Sequence, residues 1–190
     1  KSSNAIMMFK QIPAKVSSGL LSGVNPMIDQ YFSAQLIIGS IAAISYGIKI
    51  PAFVIGIIGI ALGNVLLPYF SKNAIHDRIA VFKKLQEILK YLLYGSLAIT
   101  IIVIMLSSPI ISLLFERGAF TSLDTIKVSR VQQMYALQIP SYITGVVIVK
   151  LLTSISRNNF MVLASMISLV LNVILNYVLI QYLEVYGLAL

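Results

Sequence analysis

Two ionisable residues sit where the surrounding sequence offers them little water. Lys49 lies inside the run Leu36 to Phe70, which holds no other charge. Asp29 belongs to a polar series, Ser18, Ser22, Asn25, Asp29 and Ser33, whose steps of four, three, four and four place it on one face of a helix. Ser165, Ser168, Asn172 and Asn176 form a second series of the same kind. Small polar residues commonly join helices within membranes, but a carboxylate is more than such glue requires. An ionisable group deep in hydrocarbon costs about 2.5–3.5 kcal/mol on insertion scales, so it faces a partner or a watery cavity. Lys49 therefore predicts a membrane protein with a polar interior that moves something. The competing reading of these residues is a buried Lys49–Asp29 ion pair.

Depth supports comparing the two. Lys49 is nine residues from the start of its span at Ser40, about 14 Å at 1.5 Å per residue and thus near mid-membrane. Asp29 lies at a similar depth in the preceding span. Lys150 stands close to the end of its span and can reach the interface by snorkelling.

The elements that hold these residues are five apolar spans, each near the ~20 residues a crossing helix needs: 16–38, 40–70, 89–114, 131–153 and 160–183. Pro51 interrupts the second and predicts a kink or tilt. A further helix begins at 186–190 and is cut by the chain end, as expected of part of a longer protein. Residues 73–88 carry Ile75, Ile79, Phe82, Leu85 and Ile88 opposite Lys83, Lys84 and Glu87, an amphipathic pattern expected along the cytoplasmic membrane surface. His76 falls there and reads as a solvated interfacial residue.

Composition agrees. Apolar residues make up 58% of the chain, charged residues 11%, and mean hydropathy is +0.94, too little polar surface for a soluble domain. The net charge of +8 does not imply nucleic acid, because the basic residues cluster between apolar spans rather than along one stripe. Nine Lys and Arg flank one side (Lys1, Lys10, Lys15, Lys72, Arg78, Lys83, Lys84, Lys90, Arg157) and three the other (Arg117, Lys127, Arg130), which predicts a cytoplasmic N-terminus. Without cysteine there is no disulfide or thiolate site. No cleavable signal pattern begins the sequence. Catalysis finds no foothold either: there is one histidine, and no phosphate loop, nucleophile elbow or carboxylate pair on one element. Gly56, Gly59 and Gly63 read as close helix packing, since no strand precedes them.

The stretch Tyr46 to Lys72, YGIKIPAFVIGIIGIALGNVLLPYFSK, resembles the eighth helix of the MurJ (MviN) lipid II flippases, with Gly56, Gly59, Ala61, Leu62, Leu66, Leu67, Pro68 and Ser71 in place without a gap. Leu114 to Phe120, LFERGAF, resembles the family's L-F-x-R-G-A-F segment. Leu171 to Asn176 and Gly187 to Leu190 resemble its eleventh helix and the start of its twelfth. The resemblance implies an all-α polytopic membrane bundle of about five to six transmembrane helices, a partial C-terminal lobe with the MATE-like (MOP) fold, in the bacterial cytoplasmic membrane. Its implied partners are membrane lipid and the N-terminal half of the transporter. Its implied task is alternating-access transport of a lipid-linked cell-wall or polysaccharide precursor, a lipid II-like undecaprenyl diphosphate sugar, to the outer leaflet.

Lys49 then stands where the family has a cavity arginine that engages diphosphate, a role ammonium can fill without the bidentate fork. Two departures, Ile48 in place of the usual acid and the shifted Pro51, bear on which lipid-linked oligosaccharide is carried. The resemblance also implies a Na+ site of Asp29, Asn172 and Asn176, a hard-oxygen set of low charge, completed by a residue past Leu190. The alternatives are a cation-coupled multidrug exporter of the same superfamily, which would want acids and an aromatic cavity, and a non-transporting scaffold, which would pair Lys49 with Asp29.

Overall fold

The computed structural model describes residues 2–36, 39–73, 78–155 and 159–189, with 2–11, 14, 15, 18, 22, 78–80 and 159 described by their backbone alone. The expectations for Lys1, His76 and Arg157, and for the side chains of Lys10, Lys15, Ser18, Ser22 and Arg78, lie outside the described residues.

All of the regular structure described is helical: α1 (Ser2–Ser33), α2 (Ser40–Gly47), α3 (Lys49–Asn73), α4 (Arg78–Met105), α5 (Ser107–Phe115), α6 (Ser122–Ala136), α7 (Gln138–Ser154), α8 (Asn159–Leu183) and α9 (Val185–Leu188). Three long apolar spans are thus each broken once, at Ile48, Leu106 and Leu137. A proline follows each break by three residues: Pro51, Pro109 and Pro140. Proline has no N–H for the carbonyl four residues back and its ring crowds that carbonyl. The carbonyls concerned are those of Gly47, Met105 and Ala136, the last residues of α2, α4 and α6. Thr100 compensates one of them, its hydroxyl donating to the Ala136 carbonyl at 3.4 Å. Only the Pro51 kink was expected. Pro13, Pro26 and Pro68 leave α1 and α3 unbroken, so proline alone does not decide where a span bends.

Packing explains the selection. The short segments α2, α5 and α6 pack together around Ala43, Ile111, Val128 and Val131. The long segments α3, α4 and α7 pack around Leu66, Phe70, Val81, Val147 and Leu151, and around Val103, Ile139 and Ile143. The three bends therefore occur together, where one cluster gives way to the next. Helices α1 and α8 run alongside as a pair, and α9 joins them to α6.

Several expected boundaries move. The amphipathic stretch 73–88 is no separate surface segment where it is described. From Arg78 it is the first turns of α4, continuous into the span expected at 89. Val81 and Leu85 are buried against Phe70 and Leu151, while Phe82 is 54% exposed, so only part of its apolar face is covered by protein. The fourth span begins at Ser122 rather than 131, because Thr121 caps α6 reciprocally with Asp124. The first helix starts by Ser2 and ends at Ser33. Four helical spans among the described residues are long and apolar enough to cross a membrane: Ser40–Asn73, Val81–Met105, Ser122–Ser154 and Phe160–Leu183. In the fourth span only 6% of the most apolar window is buried, which suits lipid as the solvent.

At the end of α8 the chain reverses through Glu184, a non-glycine residue at φ 51°, and α9 folds back on α8. A Cβ on Gly187 would fall 2.6 Å from the Leu179 carbonyl oxygen. Gly187→Ala is expected to cost about 1–3 kcal/mol through overpacking against backbone. A lowered thermal unfolding midpoint in detergent checks this, and an unchanged one would contradict the close approach.

Candidate functional site

Two polar centres emerge, and they do not meet. In the first, the Asp29 carboxylate of α1 accepts from Nδ2 of Asn172 at 2.9 Å and Nδ2 of Asn176 at 2.7 Å, both on α8. The amides stand one turn apart, and Asn176 Nδ2 also reaches Asn172 Oδ1 at 3.5 Å. Asn176 is buried, while Asp29 and Asn172 are half-buried. Asp29 of the first polar series thus meets Asn172 and Asn176 of the second across the α1–α8 contact. Asp29 opens onto two cavities. One, of about 940 Å³, is lined by Asn172, Asn176, Ser168, Gln138 and Tyr135, among others. The smaller, about 230 Å³, includes Gln30, Ser33, Ser45 and Tyr135. Gln138 and Tyr135, absent from the sequence reading, are brought there by the α6–α7 bend; nothing in their spacing signals it. Gln138 Nε2 donates to the Ala189 carbonyl at 3.2 Å, which ties α9 to this wall.

The donor set suits a monovalent cation in kind: one carboxylate and two amide oxygens. Both amide N–H groups are turned to Oδ1 of Asp29, which already accepts two hydrogen bonds. Holding an ion would require the amides to present Oδ1 instead, a rotation within reach of either side chain. No cluster of three or more His, Cys, Asp or Glu suited to a metal occurs among the described residues.

The second centre is Lys49, the first residue of α3, at the level of the bends. Its ammonium lies 4.6 Å from the centroid of the Tyr46 ring and 5.2 Å from that of Phe115, within cation–π range. Tyr46, Phe115 and Phe120 pack on one another, with centroids 4.9 Å apart for Tyr46–Phe115 and 5.6 Å for Tyr46–Phe120. Among the described residues the one ion pair is Lys84–Glu87. Lys49 and Asp29 are therefore not paired, and Lys49 remains exposed. The aromatic partners were missed, although Tyr46 stands three residues before Lys49 and Phe115 belongs to the quoted LFERGAF segment.

That segment is held firmly. Gly118 takes φ 63°, a left-handed conformation glycine adopts without strain. Arg117 donates to the Leu114 carbonyl at 2.6 Å. The Thr125 hydroxyl donates to Glu116 at 2.8 Å. Hydrogen bonds from Ser112 first, and Thr125 second, hold the Glu116 carboxyl below its ordinary pKa. A depressed pKa in the folded state means the carboxylate stabilises the loop above the usual glutamate range, and that support disappears as pH falls through the lowered value. Amide-exchange protection across residues 116–125, corrected for the intrinsic pH dependence of exchange, is expected to fall on acidification over that window. In Glu116→Gln this pH response should be absent; an identical response there would assign it to another group.

The glycine row of α3 meets α7. Gly59 stands with its Cβ position 3.8 Å from the Tyr142 ring. At Gly63 a Cβ would lie 3.2 Å from both Cε and Nζ of Lys150, so the Lys150 side chain lies across the face of α3.

The model of the family described as "Lipid II flippase MurJ" matches residues 3–190. A probable lipid II flippase MurJ of Buchnera aphidicola subsp. Schizaphis graminum is 28% identical over 100% of this chain and 37% of its own length. That of Rickettsia prowazekii is 30% identical over 93% of this chain and 35% of its own. A solved structure, lipid II flippase MurJ in an inward closed conformation, superposes with a TM-score of 0.81 at 26% identity, covering 90% of this chain and 36% of that one. The chain spans a little over a third of the length of these relatives, and with its apolar helices and the family match across almost every residue, it belongs to the MurJ lipid II flippase family.

Proposed function

We propose that this chain is a lobe of a flippase that carries a lipid-linked sugar diphosphate across the bacterial cytoplasmic membrane, with Lys49 engaging phosphate. The observation that carries the reading is Lys49 itself. Its ammonium has no carboxylate partner among the described residues and rests on two aromatic faces. Rings orient an ammonium while leaving its opposite side free for an anion. The scaffold alternative needed the Lys49–Asp29 pair, which is not formed among the described residues, and the family match does not favour the exporter.

Asp29, Asn172 and Asn176 are the residues that would hold Na+, which when bound would supply positive charge between α1 and α8. Asp29 binds and orients the two amides, and so sets how those helices approach. The charge asymmetry of the connections supports a cytoplasmic N-terminus. The further partners of this reading are the remainder of the transporter and membrane lipid.

The test supplies the protein, as its gene encodes it, to bacteria depleted of their own lipid II flippase. Restored growth with precursor reaching the outer leaflet is expected. Membrane-inserted protein that leaves precursor trapped inside would overturn the reading.

A further inference from the structure

Lys49, Gly56 and Gly63 are seven residues apart on α3, so they share one face of that helix. Beside that face, between α3 and α7, lies a groove of about 800 Å³ lined by Ile55, Ile60, Asn64, Tyr142, Val149 and Lys150 with the glycines between them. The glycines make the room: at Gly56 nothing stands within 4 Å of a Cβ position, and at Gly63 the nearest atoms are the end of the Lys150 side chain.

The Lys150 ammonium is the feature that packing does not explain. It belongs to the apolar span Ser122–Ser154 and is half-buried. No acid lines the groove, and among the described residues Lys150 makes no ion pair. Glu87, on the neighbouring α4, is occupied by Lys84 at 2.7 Å. A lysine that merely escaped to the interface would extend toward the near end of α7. Here its tip lies against Gly63, ten residues before the end of α3, or about 15 Å along the helix. A cation held inside a span without a counter-charge marks a path or a ligand.

We propose that this groove is a second anion seat, where the Lys150 ammonium holds the phosphate of a polyprenyl-type lipid whose tail lies against Ile55, Ile60 and Val149. The proposal rests on the flippase reading and adds a residue to it. Gly63 lies fourteen residues beyond Lys49 on the same face, about 21 Å along α3. A lipid phosphate crossing beside this helix would meet a cation at each end of a strip kept open by glycine. Lysine suits a seat that must release its ligand, because its point charge imposes no fixed bidentate geometry.

The experiment uses the protein as its gene encodes it, delipidated in detergent, with bound lipid counted by native mass spectrometry. The probes are a polyprenyl diphosphate, phosphatidylglycerol and inorganic phosphate. Lys150→Gln is expected to weaken polyprenyl diphosphate binding about tenfold, the scale of one hydrogen bond to a charged group, and Lys150→Arg to restore it. Gly63→Leu, which fills the seat but keeps the lysine, should lose binding likewise. Phosphatidylglycerol and inorganic phosphate should bind with no dependence on Lys150. Wild-type affinity in Lys150→Gln would overturn the seat, and so would equal Lys150-dependent binding of either control probe. Lys150-dependent binding in a protein that fails to restore growth would instead sink the flippase reading and leave the seat standing.

Discussion

Lys49→Ala should abolish growth support while leaving the protein in the membrane. The ammonium of Lys49 is the one cation placed at the level where three spans bend, and it is uncompensated by any acid among the described residues. Each charge-assisted hydrogen bond it makes to phosphate is worth about 1.5–3 kcal/mol. Two such bonds lost at the rate-limiting step would slow transport by about a hundredfold or more. Arginine at this position keeps charge and reach, so Lys49→Arg should retain most activity. Phe115→Leu removes a cation–π contact worth about 0.5–2 kcal/mol while keeping an apolar side chain, and should produce a smaller deficit. Outer-leaflet exposure of the precursor, normalised to membrane-inserted protein, separates the three variants. Undiminished transport by Lys49→Ala would remove this residue from the mechanism.

Asp29→Ala carries the second large effect, because two asparagines depend on one carboxylate. Its loss leaves the Nδ2 groups of Asn172 and Asn176 without their shortest acceptor in a half-buried contact. Each unsatisfied donor costs about 1–3 kcal/mol, so α1 should loosen from α8. Sodium provides the specific readout. If the site holds the ion, wild-type protein gains about 2.7 kcal/mol at a sodium concentration a hundredfold above its dissociation constant. Potassium should not replace it, and Asp29→Ala should show no gain. Asp29→Asn keeps the shape and some hydrogen bonding, so it should lose the sodium response with a smaller fall in basal stability. Equal unfolding curves in sodium and potassium for the wild type would argue against an ion site, though the α1–α8 contact would remain.

The elements were more legible than their joints. Apolar runs interrupted by basic clusters marked the long helices, and α8 falls at Asn159–Leu183 because nothing in that stretch interrupts its apolar periodicity. The bends at Leu106 and Leu137 had signals in Pro109 and Pro140, yet Pro26 and Pro68 carry the same signal without effect. What separates them is whether neighbouring segments can repack on either side of the bend, and that is a property of the assembled bundle. The stretch 73–88 looked like a surface helix because amphipathicity records which face is apolar, not what covers it. Here Phe70 and Leu151 cover the part of it that carries Val81 and Leu85.

Some of the site was likewise present in the order of residues. Steps of three and four put Asp29 on one stripe and Asn172 with Asn176 on another, since the helical repeat is a local property. An unaccompanied lysine in an apolar run announced itself because burying charge is costly in any fold. Which partner each charge takes could not be decided that way. Lys49 and Asp29 are close in sequence and matched in depth, yet one rests on Tyr46 and Phe115 while the other binds two amides 143 and 147 residues away. The contact of Lys150 with Gly63 also joins helices distant in sequence. Local periodicity determines the faces that helices offer; only packing, which brings remote faces within a few ångströms, determines which of them meet.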